Sequence, residues 1–224
     1  MSKKLILTFV IFTTVIRLFP QTITHPNYGL KSHETLDIES VVPATHSTTL
    51  NMVIENRSLD GTFCADKNIF ILLPGGKRLK INKAEGIPRC PDTYVFKNFG
   101  EKLFFSLIFP ALPEGTEWFD LVEECNEACF SFYGIILDDK LNQKIDHAYA
   151  LSGSGEYEEA GREFESLLLD LYGRKCSYEG AVYWNLVHLA RKVGDESKAG
   201  EWSEKLNNSD ITLKKKYAEV LKNY

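Results

Sequence analysis

Apolar residues follow two rhythms along the chain. From residue 35 to about 137 they recur at every second position, or gather in short runs closed by turn residues, as in strands. Residues 36–41 alternate and stop at Pro43. In residues 50–55, Leu50, Met52 and Ile54 share one face. Residues 69–73 are continuously apolar, which predicts a central strand. Pro74-Gly75-Gly76-Lys77 supplies glycines for positive φ in a hairpin connection to residues 79–81. Further strands are predicted at 94–96, 103–109, 118–123 and 130–137.

At Asp138 the period changes to three and four. Asp138 can cap a first helix in which Leu141, Ile145, Ala148 and Ser152 share a face and Gly153-Ser154-Gly155 forms the stop. Tyr157, Ala160, Phe164, Leu167, Leu168 and Leu171 line a second helix, closed by Gly173. Val182, Leu186, Leu189, Ala190 and Val193 point inward from a third. Ala199, Trp202 and Leu206 mark a fourth. Leu213, Tyr217, Val220, Leu221 and Tyr224 mark a fifth. The chain therefore predicts an α+β two-domain protein: an antiparallel immunoglobulin-like β-sandwich over residues 22–137, then α-hairpins over 138–224. Phe104, Phe109, Trp118, Phe119, Phe130 and Phe132 are expected to fill the sandwich core. Two residues, Asp138-Asp139, are too few for a free tether, so the sandwich is expected to cover the first helix.

One stretch occurs twice. Gly155-Glu156-Tyr157-Glu158-Glu159-Ala160-Gly161 returns as Gly194-Asp195-Glu196-Ser197-Lys198-Ala199-Gly200, an offset of about 39 residues. With Tyr183-Trp184-Asn185-Leu186, Leu189, Ala148 and Phe164, these units resemble tetratricopeptide repeats. The period exceeds the usual value of about 34 residues, and the extra residues fall around 172–178. Val187 stands where that family prefers a small residue, and Ser203 where it prefers an aromatic. The resemblance implies a partner groove lined by Asn142, Asp146, Tyr149, Asn185, His188 and Arg191. A second likeness runs through residues 105–116, then Phe119-Asp120-Leu121-Val122-Glu123-Glu124-Cys125, Cys129-Phe130 and Tyr133-Gly134-Ile135. It resembles exported Bacteroidetes proteins of unassigned function, whose immunoglobulin-like sandwiches precede other modules.

The start of the chain adds a location. Lys3-Lys4 precedes a nearly unbroken apolar run over residues 5–16, too short to span a bilayer and shaped like a signal peptide over residues 1–21. A periplasmic or secreted protein with no transmembrane span after processing is expected. Outside the cytosol cysteines pair. Of the five, Cys64 is expected to join Cys90 and Cys125 to join Cys129, leaving Cys176 as a free thiol. The spacing lacks the two short knuckles of a zinc site.

With 224 residues, 44% apolar and 25% charged, the chain can bury a core. A net charge of −5 and one short basic run, Lys214-Lys215-Lys216, argue against nucleic acid. No phosphate loop, dinucleotide fingerprint, nucleophile elbow or paired-histidine metal motif occurs. His25, His33, His46, His147 and His188 are expected in packing or solvent roles. Glu123 and Glu124, as strand neighbours, point to opposite faces. No cofactor, metal or catalytic residue is predicted. The expectation is a non-enzymatic protein-interaction or scaffold module with a protein or peptide partner. The alternative is a ligand- or glycan-binding sandwich using exposed Tyr28, Tyr94 or Trp118, with the helices as a brace.

Overall fold

A computed structural model describes residues 21–211 and 213–222. All but the last residue of the leader expected at residues 1–21, and Tyr224 on the last helix, lie outside the described residues. Among the described residues the strands are β1 (Ile23–Thr24), β2 (Leu30–Lys31), β3 (Leu36–Pro43), β4 (Ser47–Glu55), β5 (Thr62–Phe63), β6 (Ile69–Leu72), β7 (Arg78–Lys80), β8 (Lys83–Glu85), β9 (Tyr94–Val95), β10 (Lys102–Pro110), β11 (Trp118–Glu123) and β12 (Ser131–Ile136). The helices are α1 (Asp139–Ser154), α2 (Tyr157–Leu171), α3 (Glu179–Lys192), α4 (Glu196–Asn208) and α5 (Lys214–Lys222).

The strands form two five-stranded antiparallel sheets, β1-β3-β4-β10-β8 and β2-β12-β11-β6-β7, with β5-β9 as a small separate pair. Their inner faces meet in one core. Leu50, Met52 and Ile54 of β4 lie beside Leu103, Phe105 and Leu107 of β10, and Ile71, Phe119, Leu121 and Phe132 face them from the second sheet. A bulge between Ile38 and Ser40 explains why the inward set of β3 runs Leu36, Ile38, Val41 rather than keeping strict alternation. Phe104 corrects the expected core. It is 61% exposed, because inward positions on β10 are the odd-numbered Leu103, Phe105, Leu107 and Phe109, and residue 104 falls on the outer face.

The second sheet is covered on both faces. Trp118 and Ile136 turn away from the sandwich and join Leu141, Ile145, Ala148, Tyr178 and Val182 in the helical core. Trp118 is thus buried, but as part of the joint with the helices rather than the sandwich interior.

The helices pack successively as antiparallel rods. Asp138 Oδ1 accepts from Leu141 N–H at 3.0 Å and starts α1; Gly155, at φ 86°, ends it. Leu171, Leu167, Phe164 and Ala160 form the buried stripe of α2. Val193 departs from the expected inward set of α3. It follows the last helical residue and is 46% exposed.

Candidate functional site

Residues 176–178, between α2 and α3, form a joint between the halves, and Arg174 just before them pairs with Glu117. Cys176, Ser177 and Tyr178 are buried against β11 and β12. A bulge makes room for them: Phe119 pairs with Ile135 but Leu121 pairs with Phe132, so β12 carries one extra residue opposite Asp120. Gly134 sits there at φ +67°, and a Cβ on it would stand 2.3 Å from Tyr178 N. Asp120 bridges the joint. One carboxylate oxygen accepts from Gly134 N–H at 2.6 Å and the other from Ser177 O–H at 3.0 Å. Burial pushes the Asp120 carboxyl above its ordinary range, opposed by those two donors. From α5, Tyr217 reaches the same loop and donates to Ser177 O at 3.1 Å. Its ring lies over Gly180, where a Cβ would come within 2.1 Å of it.

The six residues predicted to line a partner groove divide into three settings. Asn142 and Asp146 grip the chain itself. Asn142 Oδ1 accepts from Asn27 N–H at 2.9 Å and from its side-chain amide at 3.1 Å, Asp146 accepts from that amide at 2.8 Å, and Asn142 Nδ2 donates to Ile136 O at 3.0 Å. Asn27 O accepts from Ile136 N–H, which closes the ring. Tyr149 and Asn185 pair with each other: Asn185 Nδ2 donates to Tyr149 Oη at 3.1 Å and to Ala181 O at 2.8 Å, and the Tyr149 ring stands edge-on to Phe164. His188 stacks on Trp184, with ring centres 5.2 Å apart, beside Arg191 and Lys192. Burial, then Lys192 and Arg191, hold its imidazole below the ordinary value. Asn27 of the sandwich therefore engages two of the six residues, Asn142 and Asp146.

An open groove lies elsewhere, between α2, α3 and α4, with a volume of about 290 Å3. Leu186, Leu189, Ala190 and Val193 contribute apolar surface, with Tyr157 and Trp202 also lining it. Its charged residues carry both signs, and Lys198 bonds Glu165 across the two helices at 2.9 Å. Gly161 leaves open space where a side chain would stand. Sequence reasoning missed this groove, although Gly161 inside the helical pattern of α2 was a visible sign of an open wall.

The aromatics that a sugar platform would need are engaged. Trp118 is buried in the joint, Tyr28 donates to Asp37 at 2.8 Å and stands edge-on to Phe132, and Tyr94 donates to Glu101 at 2.6 Å. Disulfides join Cys64 to Cys90 and Cys125 to Cys129; Cys176 is free and buried. Among the described residues no group of three metal-ligating side chains gathers, and no helix is long and apolar enough to cross a membrane. Compared with known proteins, the chain matches no family model, no curated protein and no solved structure.

Proposed function

We propose that the protein is an exported, non-enzymatic interaction or scaffold protein of the cell envelope, in which an immunoglobulin-like sandwich is braced by tetratricopeptide-like hairpins. The order β3-β4-β10-β8 facing β12-β11-β6-β7 supports the sandwich reading, because it follows the A-B-E-D and G-F-C-C′ sequence of that fold. The turn hydrogen bonds support the repeat reading. Glu156 N–H bonds Leu151 O and Gly155 N–H bonds Ser152 O; Asp195 N–H bonds Ala190 O and Gly194 N–H bonds Arg191 O, at the same offset. Two disulfides and the basic-then-apolar start suit a compartment outside the cytosol.

The groove between α2, α3 and α4 carries the interaction reading, since Asn142 and Asp146 of the inner face are already engaged by Asn27. Its apolar surface and charges of both signs suit a peptide segment of a protein partner, with an apolar side chain set over Leu189 and Val193. The test is a crosslinking pull-down from the native envelope with the wild-type chain, Val193→Glu, and Lys77→Glu on the distant hairpin as control. The expected result is one protein recovered by wild type and Lys77→Glu and lost with Val193→Glu. Retention by Val193→Glu removes the groove, and recovery of no protein by wild type removes the interaction reading itself.

A further inference from the structure

Cys125 and Cys129 close a loop of three intervening residues, Asn126, Glu127 and Ala128, all exposed at the tip of the β11–β12 hairpin. Both cysteines are partly exposed. The two sulfurs have different surroundings. Cys125 N–H points at Cys129 Sγ from 3.1 Å, whereas Cys125 Sγ lies 3.0 Å from the carbonyl oxygen of Glu127. A backbone donor favours a thiolate; a carbonyl favours a protonated thiol that can donate to it. The base of the loop is held without the disulfide. Glu123 N–H bonds Phe130 O at 2.9 Å, Phe130 N–H bonds Glu123 Oε2 at 3.2 Å, and Glu124 N–H bonds Asn68 O at 2.8 Å. Cys64–Cys90 differs: it closes a separation of 26 residues next to strands only two residues long, so it restrains far more of the unfolded chain.

The geometry points to Cys125–Cys129 as a thiol–disulfide exchange site for external thiols, with Cys125 the sulfur attacked and Cys129 the sulfur released. The inference stands apart from the partner groove. A thiolate of a dithiol reductant attacks Cys125 Sγ and forms a mixed disulfide as the Cys125–Cys129 bond breaks. The electron pair leaves on Cys129 as a thiolate that accepts the waiting Cys125 N–H. The second thiol of the reductant, deprotonated, then attacks its own first sulfur in the mixed disulfide. The reductant closes to its disulfide, and Cys125 departs as a thiolate that takes a proton and donates to Glu127 O. Two electrons pass from the dithiol to the chain.

The test uses the oxidised full chain in graded dithiothreitol, with alkylation and mapping of each cysteine. Cys125 and Cys129 should open at about tenfold lower reductant than Cys64 and Cys90, with the circular dichroism unchanged. Buried Cys176, whose thiol burial pushes up to about 12, serves as the unfolding reporter and should stay unmodified. Simultaneous or earlier opening of Cys64–Cys90, or labelling of Cys176 in step with Cys125, overturns the site. Polarity is read by trapping with the monothiol 2-mercaptoethanol under acid quench, where the adduct should sit on Cys125. It is read again in single variants at pH 7, where Cys129 in Cys125→Ser should alkylate about fivefold faster than Cys125 in Cys129→Ser. An adduct on Cys129, or equal rates, overturns the assigned direction.

Discussion

Gly134 is where a single methyl group decides whether the two halves can meet. Its φ of +67° strains any other residue, and the space a Cβ would need is taken by Tyr178 N at 2.3 Å. Backbone on both sides leaves nothing flexible to yield. Gly134→Ala should lower unfolding stability by about 3 kcal/mol or more, measured by denaturant titration; a loss under about 1 kcal/mol would mean that the approach is not tight. Asp120 beside it gives a pH dependence with a definite sign. Its folded-state value is raised, so protonation favours the folded chain, and its contribution is fully present below the ordinary aspartate range and lost as pH rises through the raised value. Asp120→Asn keeps an oxygen for Gly134 N–H and carries no charge. The stability of wild type relative to Asp120→Asn should therefore fall as pH rises from about 4 to 7; a rise would reverse the assignment. Asp120→Ala instead strands two buried donors, at about 1–3 kcal/mol each. None of this was legible in the sequence. An Asp in an apolar strand and a Gly in the next one mean little until a bulge sets them opposite each other. For Phe104 the sequence does hold the answer: on a strand, residues 104 and 109 fall on opposite faces, so only one of them can be core.

At the scale of elements the sequence spoke most clearly where structure is local. The repeated Gly-acid turn fixes two helix boundaries by the same chemistry: left-handed Gly155 at φ 86° and Gly194 at φ 77°, each followed by the start of a helix. The two acids are not equal. Asp195 accepts from Lys198 N–H at 2.9 Å, while Glu156 makes no side-chain cap and binds the Ser154 hydroxyl instead. Asp195→Ala should cost about 1 kcal/mol and Glu156→Ala only a few tenths, compared by thermal melting in matched buffers; equal costs would contradict the capping geometry. The strands that the pattern missed, β1, β2, β5 and β8, are two or three residues long and hold at most one large apolar residue each, whereas the equally short β7 and β9 overlap the apolar stretches at residues 79–81 and 94–96. The irregularity of the repeat was visible and its purpose was not. The added residues around 172–178 buy contact with the sandwich. Cys176 and Tyr178, at the end of that stretch, belong to the helical core, and Tyr178 lies against the sandwich at Gly134.

At the scale of the molecule the question is whether sandwich and helices behave as one body, and the joint answers it through groups that cannot be satisfied apart. Asn142 ties α1 to Asn27 and to the end of β12 with three hydrogen bonds. Trp118 and Ile136 of the second sheet are buried in the helical core, in one cluster with Leu141, Ile145 and Tyr178. Separation would expose these apolar side chains, each worth roughly 1.5–3 kcal/mol when fully buried. It would also uncover the buried ring of Tyr178. That total is comparable with the whole stability of an ordinary domain, about 5–15 kcal/mol, so neither half should survive the loss of the other. Far-UV circular dichroism, which follows the helices, and tryptophan fluorescence, which follows Trp118 together with Trp184 and Trp202, should report one coincident unfolding transition. Asn142→Ala leaves the Asn27 amide and the Ile136 carbonyl without their partner, and should lower the common midpoint by about 2 kcal/mol or more while keeping the two probes together. Separate transitions in the wild-type chain, or limited proteolysis that releases a stable fragment ending near Asp138, would show two domains joined in sequence only. The groove between α2 and α4 would then be a feature of an independent helical unit rather than of a braced one.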